Sequence, residues 1–230
     1  MEQTIKSRQK SNHTMPFVRL ELVVMSVIND LLSVLLVKRQ EPPHAGKWAL
    51  AGGVLRIDLD ANLQAAAQRV SQERLGVSLP FMRQQCAVGG ASRDPRAPWA
   101  LSVVYRALVP QEAFSPQPGK RVESLKWVPV DQAMADKNLA FDHAALIAQA
   151  VETTRSEIDL LLLPQGYIPE QFTLAELQSM CESLGGRSLD KSSFRRKLDD
   201  RGLVMQVEGA VRAGNAHRPA QIYRLSGKSQ

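Results

Sequence analysis

Along Glu21–Ile28 and Leu31–Val37, β-branched and leucine side chains run almost unbroken, which reads as two strands. Only Asn29-Asp30 separates them, a pair suited to a tight two-residue turn, so the chain is predicted to open with a hairpin. A loop with Pro42 and Pro43 follows. Trp48-Ala-Leu-Ala-Gly-Gly53 then reads as a short strand entering two glycines, where the backbone can bend sharply. From Asn62 to Leu75 the period becomes helical, with Leu63, Ala66, Ala67 and Val70 on one face and Gly76 as the stop. Strands are predicted again at Gln85–Val88, Ala100–Val109 and Val122–Val128, then a helix from near Phe141 towards Leu163. Strands interleaved with helices in this order imply a mixed sheet packed against helices.

Pro164-Gln-Gly-Tyr-Ile-Pro169 breaks the pattern, and the domain boundary is placed there. Beyond it, Thr173-Leu-Ala-Glu176 is a capping box opening a helix with Leu174, Leu177, Cys181 and Leu184 on its inner face. Gly185-Gly186 ends that helix. A second, from about Leu189 to Arg201, buries Phe194 and Leu198 and stops at Gly202, before short strands at Val204–Val207 and Gln221–Leu225. Helix, turn, helix and hairpin together predict a winged helix-turn-helix. The expected organisation is a flexible arm at 1–15, a first domain at 16–163, a linker at 164–171 and a second domain at 172–230. The 230 residues suffice for two such domains, in the α+β class.

Charge sharpens this division. The net formal charge is +6, and from Arg187 onward ten Lys or Arg stand against four Asp or Glu. The tail from Arg187 onward therefore carries the whole excess, as a surface facing a polyanion would. Hydrophobic residues at 44% leave enough for two cores, yet the longest apolar stretches fall far short of the roughly 20 residues that span a bilayer. No membrane association is expected. Cys86 and Cys181 are far apart and outside any pairing motif, so free, buried thiols and a cytoplasmic location are expected.

The chemistry-bearing segment lies in the first helix. Gly52-Gly53 followed by Arg69-Val-Ser-Gln-Glu73-Arg-Leu-Gly76-Val77 resembles the Nudix box, and the resemblance covers roughly residues 17 to 160. The resemblance implies an α/β/α sandwich with a mixed sheet, and three carboxylates at positions i, i+3 and i+4 holding a divalent cation against a diphosphate. Hard cations demand anionic oxygens, and that spacing gathers side chains on one helix face. Here the three positions read Val70, Glu73 and Arg74, and counting back from Arg69 puts Ala61 where the first glutamate of the box belongs. One carboxylate survives, so no metal site, no catalytic residue and no appreciable hydrolysis are expected. Glu73 is expected to pair with Arg69 or Arg56.

A cleft without metal can still hold phosphates on arginines and backbone amides. Arg39, Arg56 and the loop Arg93-Asp94-Pro95-Arg96 are the candidates, although that loop also suits a salt-bridged turn. Trp48 could stack on a base or serve as a core aromatic, and the same holds for Trp99. The motifs Trp48-Ala-Leu-Ala-Gly-Gly-Val-Leu-Arg56, Arg93-Asp-Pro-Arg96, Leu139-Ala-Phe-Asp-His143, Phe172-Thr-Leu-Ala-Glu-Leu-Gln178 and Leu189-Asp-Lys-Ser-Ser-Phe-Arg-Arg-Lys197 resemble one family spanning both domains. It is the Nudix-related transcriptional regulators of NAD metabolism, NrtR. The resemblance implies a repressor of NAD biosynthesis or salvage genes, released from its operator by ADP-ribose, with no cofactor required. It implies a ligand site made of Arg39, Trp48, Gly52, Gly53, Arg56, Glu73, Arg74, Arg93, Asp94, Arg96, Phe141, Asp142 and His143. Asp142 or Asn138 could instead cap the following helix.

For DNA, the second helix of the motif is expected to enter a major groove with its N-terminal residues on base edges and its cations on phosphates. Lys191, Ser192, Ser193, Arg195, Arg196 and Lys197 suit that role, with Thr173 nearby and Arg212 and Arg218 on the wing. Such regulators read pseudo-palindromic double-stranded operators as homodimers, so a dimer is expected. Two other readings stay open: an active hydrolase of ADP-ribose or a related nucleoside diphosphate with an accessory DNA-binding domain, and an RNA-binding adaptor.

Overall fold

The computed structural model describes residues 16–212 and 219–227, with backbone only at 211 and 212. The expected N-terminal arm therefore lies outside the described residues. The chain opens with β1 (Phe17–Ile28) and β2 (Leu31–Arg39), joined at Asn29 and Asp30 with φ of 48° and 64°. Both turn residues are left-handed, the conformation that keeps a two-residue hairpin in step with strand twist. β3 (Trp48–Ala49) and β4 (Ala51–Val54) follow, then α1 (Leu63–Leu75), β5 (Met82–Ala91), β6 (Trp99–Leu108) and β7 (Val122–Pro129).

β1 is the central strand. One edge runs parallel to β6 from Phe17↔Ala100 to Met25↔Leu108. The other edge pairs antiparallel with β2 near the hairpin and with β4 further back. β1 and β2 diverge away from their turn, and β3 and β4 fill the space, one on each strand. β7 lies on the outer edge of β2, and β5 on the outer edge of β6.

Alternation along β1 supplies both faces of the sheet. Leu20, Leu22 and Val24 pack with Ala66, Ala67, Val70 and Leu75 of α1. Val23 and Met25 pack on the opposite face with α3 (His143–Asp159), beside the short α2 (Val130–Ala135). The result is the expected sandwich of helices around a mixed sheet.

The C-terminal part holds β8 (Phe172–Thr173), α4 (Leu174–Gly185), α5 (Lys191–Asp200), β9 (Val204–Arg212) and β10 (Ala220–Leu225). The sheet order β8-β10-β9 makes the wing three-stranded, one strand more than the sequence suggests. The capping box at Thr173 and Glu176 is formed, and Gly186 closes α4 at φ 68°. Tyr167 and Ile168, within the expected linker, are buried in the same core as α3, Phe172 and Leu177. That segment packs instead of hanging free, because its apolar side chains fill the junction between α3 and the winged helix. Cys181 is buried, and burial pushes its thiol up to about 12; Cys86, expected to be buried, is only half-buried at the exposed sheet edge. Among the described residues no helix is long and apolar enough to cross a membrane.

Candidate functional site

A cleft of about 250 Å³ opens where β4, α1, the end of β2 and the loop before β7 meet. Eight cations line it, Arg19, Arg39, Arg56, Arg69, Arg74, Arg96, Lys120 and Arg121, against two carboxylates, Glu41 and Glu73. Its wall is completed by Gly52 and Gly53, whose φ is not left-handed. The glycines are therefore not a bend, as the sequence suggests, but points of close approach. A Cβ on Gly52 would lie 1.9 Å from Glu21 Oε2, and one on Gly53 would lie 2.7 Å from Val70 Cγ2.

Helix α1 supplies the cleft's ordered side. Asn62 caps it by accepting from the Ala65 amide at 2.8 Å. Arg69 donates from Nε and Nη2 to the two oxygens of Asp60, both at 2.7 Å, and from Nη2 to the Val54 carbonyl at 2.9 Å. The partner carboxylate is thus Asp60, one residue before the Ala61 position marked by the box spacing. Glu73 lies 3.3 Å from Arg69 and 3.9 Å from Arg56. Arg74 donates from Nε to the Gly52 carbonyl at 2.9 Å and from Nη1 to the Lys120 carbonyl at 2.5 Å. Val70 points away into the core.

The loop carrying Lys120 and Arg121 caps the other end of α1. Gln117, Gly119 and Lys120 donate their amides to the carbonyls of Leu75, Arg74 and Glu73 at 2.8, 3.0 and 2.7 Å. These are carbonyls that a helix end leaves unpaired, and the loop satisfies them while delivering two cations to the cleft.

So many cations in a half-buried space strain one another. Burial, followed by the neighbouring charges of Arg19 and Arg96, pulls Arg39 down to about 10. Burial also lowers Arg74. Burial opposes the charge of Arg19 as well, but Glu21 and Asp94 outweigh it and raise its pKa. Carboxylates partner Arg19, Arg56, Arg69, Arg96 and Arg121, whereas Arg39, Arg74 and Lys120 have none among the described residues, so the cleft keeps a net positive field that suits a multiply charged anion.

The sequence candidates separate into two groups. Arg39, Gly52, Gly53, Arg56, Glu73, Arg74 and Arg96 line the cleft. Behind them stands a buttress. Asp94 is buried and holds Arg96 through Oδ1 at 2.8 Å, with Arg19 3.9 Å away. Arg93 is committed to Asp142 at 2.9 and 2.7 Å and to Ser102 Oγ. Asp142 therefore makes no side-chain cap on α3, and Asn138 makes none either; the Asn138 amide instead donates to Asp136. Phe141, at φ 55°, places its ring 5.5 and 5.2 Å from the Arg19 and Arg39 guanidiniums. His143 is fully buried, with Nδ1 accepting from the Leu50 amide at 2.9 Å. Trp48 does not line the cleft; its ring lies 4.1 Å beneath Lys126 Nζ. Trp99 packs over Gly89. Sequence reasoning missed Arg19, Lys120 and Arg121 as cleft residues and placed Arg69 only within the box. A lone arginine in an apolar strand and a Gly-Lys-Arg loop carry no recognisable spacing.

On the C-terminal domain, Phe194 and Leu198 face inward and turn Lys191, Ser192, Arg195, Arg196 and Lys197 to the exterior, with Ser193 half-buried. Among the described residues none of these four cations is in a salt bridge. Asp190 caps the helix, accepting from the Ser193 amide at 2.8 Å. Thr173, by contrast, is buried, and its hydroxyl accepts from the Glu176 amide; a capping role accounts for it better than the expected DNA contact. Arg218 lies outside the described residues, and only the backbone of Arg212 is described.

Known proteins share these features. Residues 19–150 match the NUDIX domain family, and residues 166–225 match the NrtR DNA-binding winged helix domain. The ADPR responsive transcriptional repressor NtrR of Acinetobacter baylyi is 36% identical over 218 residues, 95% of this chain and 85% of that protein. The crystal structure of Shewanella oneidensis NrtR complexed with a 27mer DNA superposes with a TM-score of 0.75 at 32% identity, covering 92% of this chain and 94% of that one. The NUDIX domain of the same NrtR, complexed with ADP ribose, matches with a TM-score of 0.56 at 33% identity over 61% of this chain and 90% of that one. On the strength of both domain matches and of a relative alike along nearly its whole length, the chain belongs to the NrtR family, a NUDIX domain carried with a DNA-binding winged helix domain.

Proposed function

We propose that the chain is a DNA-binding transcriptional repressor of NAD biosynthesis or salvage genes, and that ADP-ribose in its NUDIX cleft releases the operator. The observation that carries this reading is the charge of the cleft, eight cations against two carboxylates, on a chain whose second domain exposes a separate cationic helix. The named relatives support it, since an Acinetobacter relative is a repressor responsive to ADPR and Shewanella NrtR forms complexes with DNA and with ADP ribose.

The ligand contacts proposed are Arg39, Gly52, Gly53, Arg56, Arg74 and Arg96, joined by Arg19, Lys120 and Arg121, while Arg93, Asp94, Phe141, Asp142 and His143 hold them from behind. The DNA contacts proposed are Lys191, Ser192, Ser193, Arg195, Arg196 and Lys197, on a homodimer whose two-fold axis matches a pseudo-palindromic operator. The chain acts as a sensor and not as an enzyme, because Val70 faces the core, Arg74 is a cation and Glu73 is shared between two arginines. Calorimetric titration with ADP-ribose, followed by chromatographic recovery of the ligand after incubation with Mg²⁺ or Mn²⁺, tests both halves. Saturable binding with intact ligand is expected, and steady release of AMP would make the chain a hydrolase.

A further inference from the structure

The donor set of the cleft does not fit a divalent cation. A hard dication needs several anionic or carbonyl oxygens free to converge on it. Position 70 is a valine whose side chain occupies the space beside Gly53. Glu73 is already drawn to Arg69 at 3.3 Å, and Glu41 to Arg121 at 3.1 Å. The Gly52 and Lys120 carbonyls, both from residues that line the cleft, are occupied by Arg74. Among the described residues no cluster of three His, Cys, Asp or Glu is placed to hold a metal.

We infer that this cleft binds a diphosphate without a metal ion, with the Arg74 guanidinium supplying fixed positive charge at the position where metal-dependent binding would require a carboxylate ligand. This rests on the ADP-ribose reading only for the identity of the nucleotide. Arg74 is held at Nε and Nη1 by backbone carbonyls, so its charge is located before any ligand arrives. Arg39 is held in the same way, its Nε donating to the Pro43 carbonyl at 2.8 Å. Guanidiniums anchored beforehand lose little side-chain freedom on binding, and their remaining N–H groups form charge-assisted bonds to phosphate oxygens. Mg²⁺ in solution then competes, because it masks the same phosphate charge that the arginines recognise.

The test is calorimetric titration of the full chain with inorganic pyrophosphate and, separately, with ADP-ribose, each in EDTA and in excess Mg²⁺. Binding in EDTA that is equal to or tighter than binding in Mg²⁺ is the expected result. Pyrophosphate binding in EDTA without ADP-ribose binding would leave the metal-free clamp standing and remove the nucleotide reading. Failure of pyrophosphate to bind in EDTA, or binding of either ligand only with Mg²⁺, would overturn the inference. In Arg74→Glu, the affinity for pyrophosphate in EDTA should fall at least ~10-fold and should now rise with Mg²⁺, since a carboxylate joins Glu73. A merely structural role for Arg74 would lower affinity in both conditions alike, which would also count against it. Because Arg74 braces α1, a thermal melt accompanies that variant. Arg121→Ala, whose side chain is half exposed, provides a second test: a several-fold loss of affinity in EDTA with no gain in Mg²⁺ dependence.

Discussion

The Leu50 amide donates to Nδ1 of His143 at 2.9 Å, fastening the first residue of α3 to the β3–β4 segment that carries Gly52 and Gly53. The acceptor must be an unprotonated nitrogen, and burial accordingly pushes the imidazole down to about 4, with Glu21 3.7 Å from Nε2 pulling only partly the other way. In the unfolded chain the ring takes a proton as pH falls through 6.5, whereas in the folded chain it does so only near 4. Between these values unfolding takes up a proton, so stability is fully present above 6.5 and declines towards 4. The expected loss is ~3 kcal/mol. Denaturant melts from pH 7.5 to 4 check this. In His143→Leu the protein should be less stable at neutral pH, but with a shallower slope over that range; an unchanged slope would assign the pH dependence elsewhere.

Gly52→Ala should destabilise the protein by ~1–3 kcal/mol, because the new methyl would meet the Glu21 carboxylate and, at 3.0 Å, the Leu20 carbonyl. Glu21 is buried, and its other oxygen accepts from Arg19 Nε at 2.8 Å, which limits the room it has to yield. Chemical denaturation measures the loss, and wild-type stability in this variant would contradict the close-approach account of the glycine.

How much of this was legible follows from which signals are local. The Asn29-Asp30 turn, the Asn62–Gly76 helix and the Thr173 capping box depend on neighbouring residues, and the structure contains all three. β8 is two residues long and owes its strand conformation to β10, almost fifty residues downstream, so no local pattern announces it. The box registered the loss of carboxylates at Val70 and Arg74 but not the Asp60–Arg69 pair, because Asp60 stands one residue before the Ala61 position that the box spacing marks. Arg19 resembles any strand arginine until β6 and the Asp94 loop close over it. Lys120 and Arg121 reach the cleft only because the loop carrying them caps α1, a contact made in three dimensions.

Arg195→Ala and Arg196→Ala should each weaken operator binding and reduce the slope of log affinity against log salt by about one, provided each cation neutralises one phosphate. Both side chains are exposed on α5. Gel shifts across a salt series give the slope; if both variants keep wild-type affinity and slope, this helix face does not contact the DNA backbone.

Helix α3 joins the two sites. Its first turn adjoins Phe141, and its 17 residues extend ~26 Å to Asp159, which accepts from Arg187 Nε at 3.2 Å. One residue on, the Leu160 carbonyl accepts from Arg201, so α5 is tethered on both flanks to the end of α3. In Asp159→Ala the affinity for ADP-ribose should stay within about twofold, while DNA retained at saturating ligand should rise a few-fold, in keeping with an exposed ion pair worth ~1 kcal/mol or less. Unaltered release by ADP-ribose would exclude this contact as part of the coupling.

The most direct measurement is a gel shift of the full chain on a promoter fragment from its own NAD-pathway genes, at fixed salt, titrated with ADP-ribose. The account predicts a retarded complex that dissolves as ADP-ribose rises, with Arg74→Ala requiring at least ~10-fold more ligand for the same release. A complex that persists unchanged at saturating ADP-ribose, or that never forms, would contradict it.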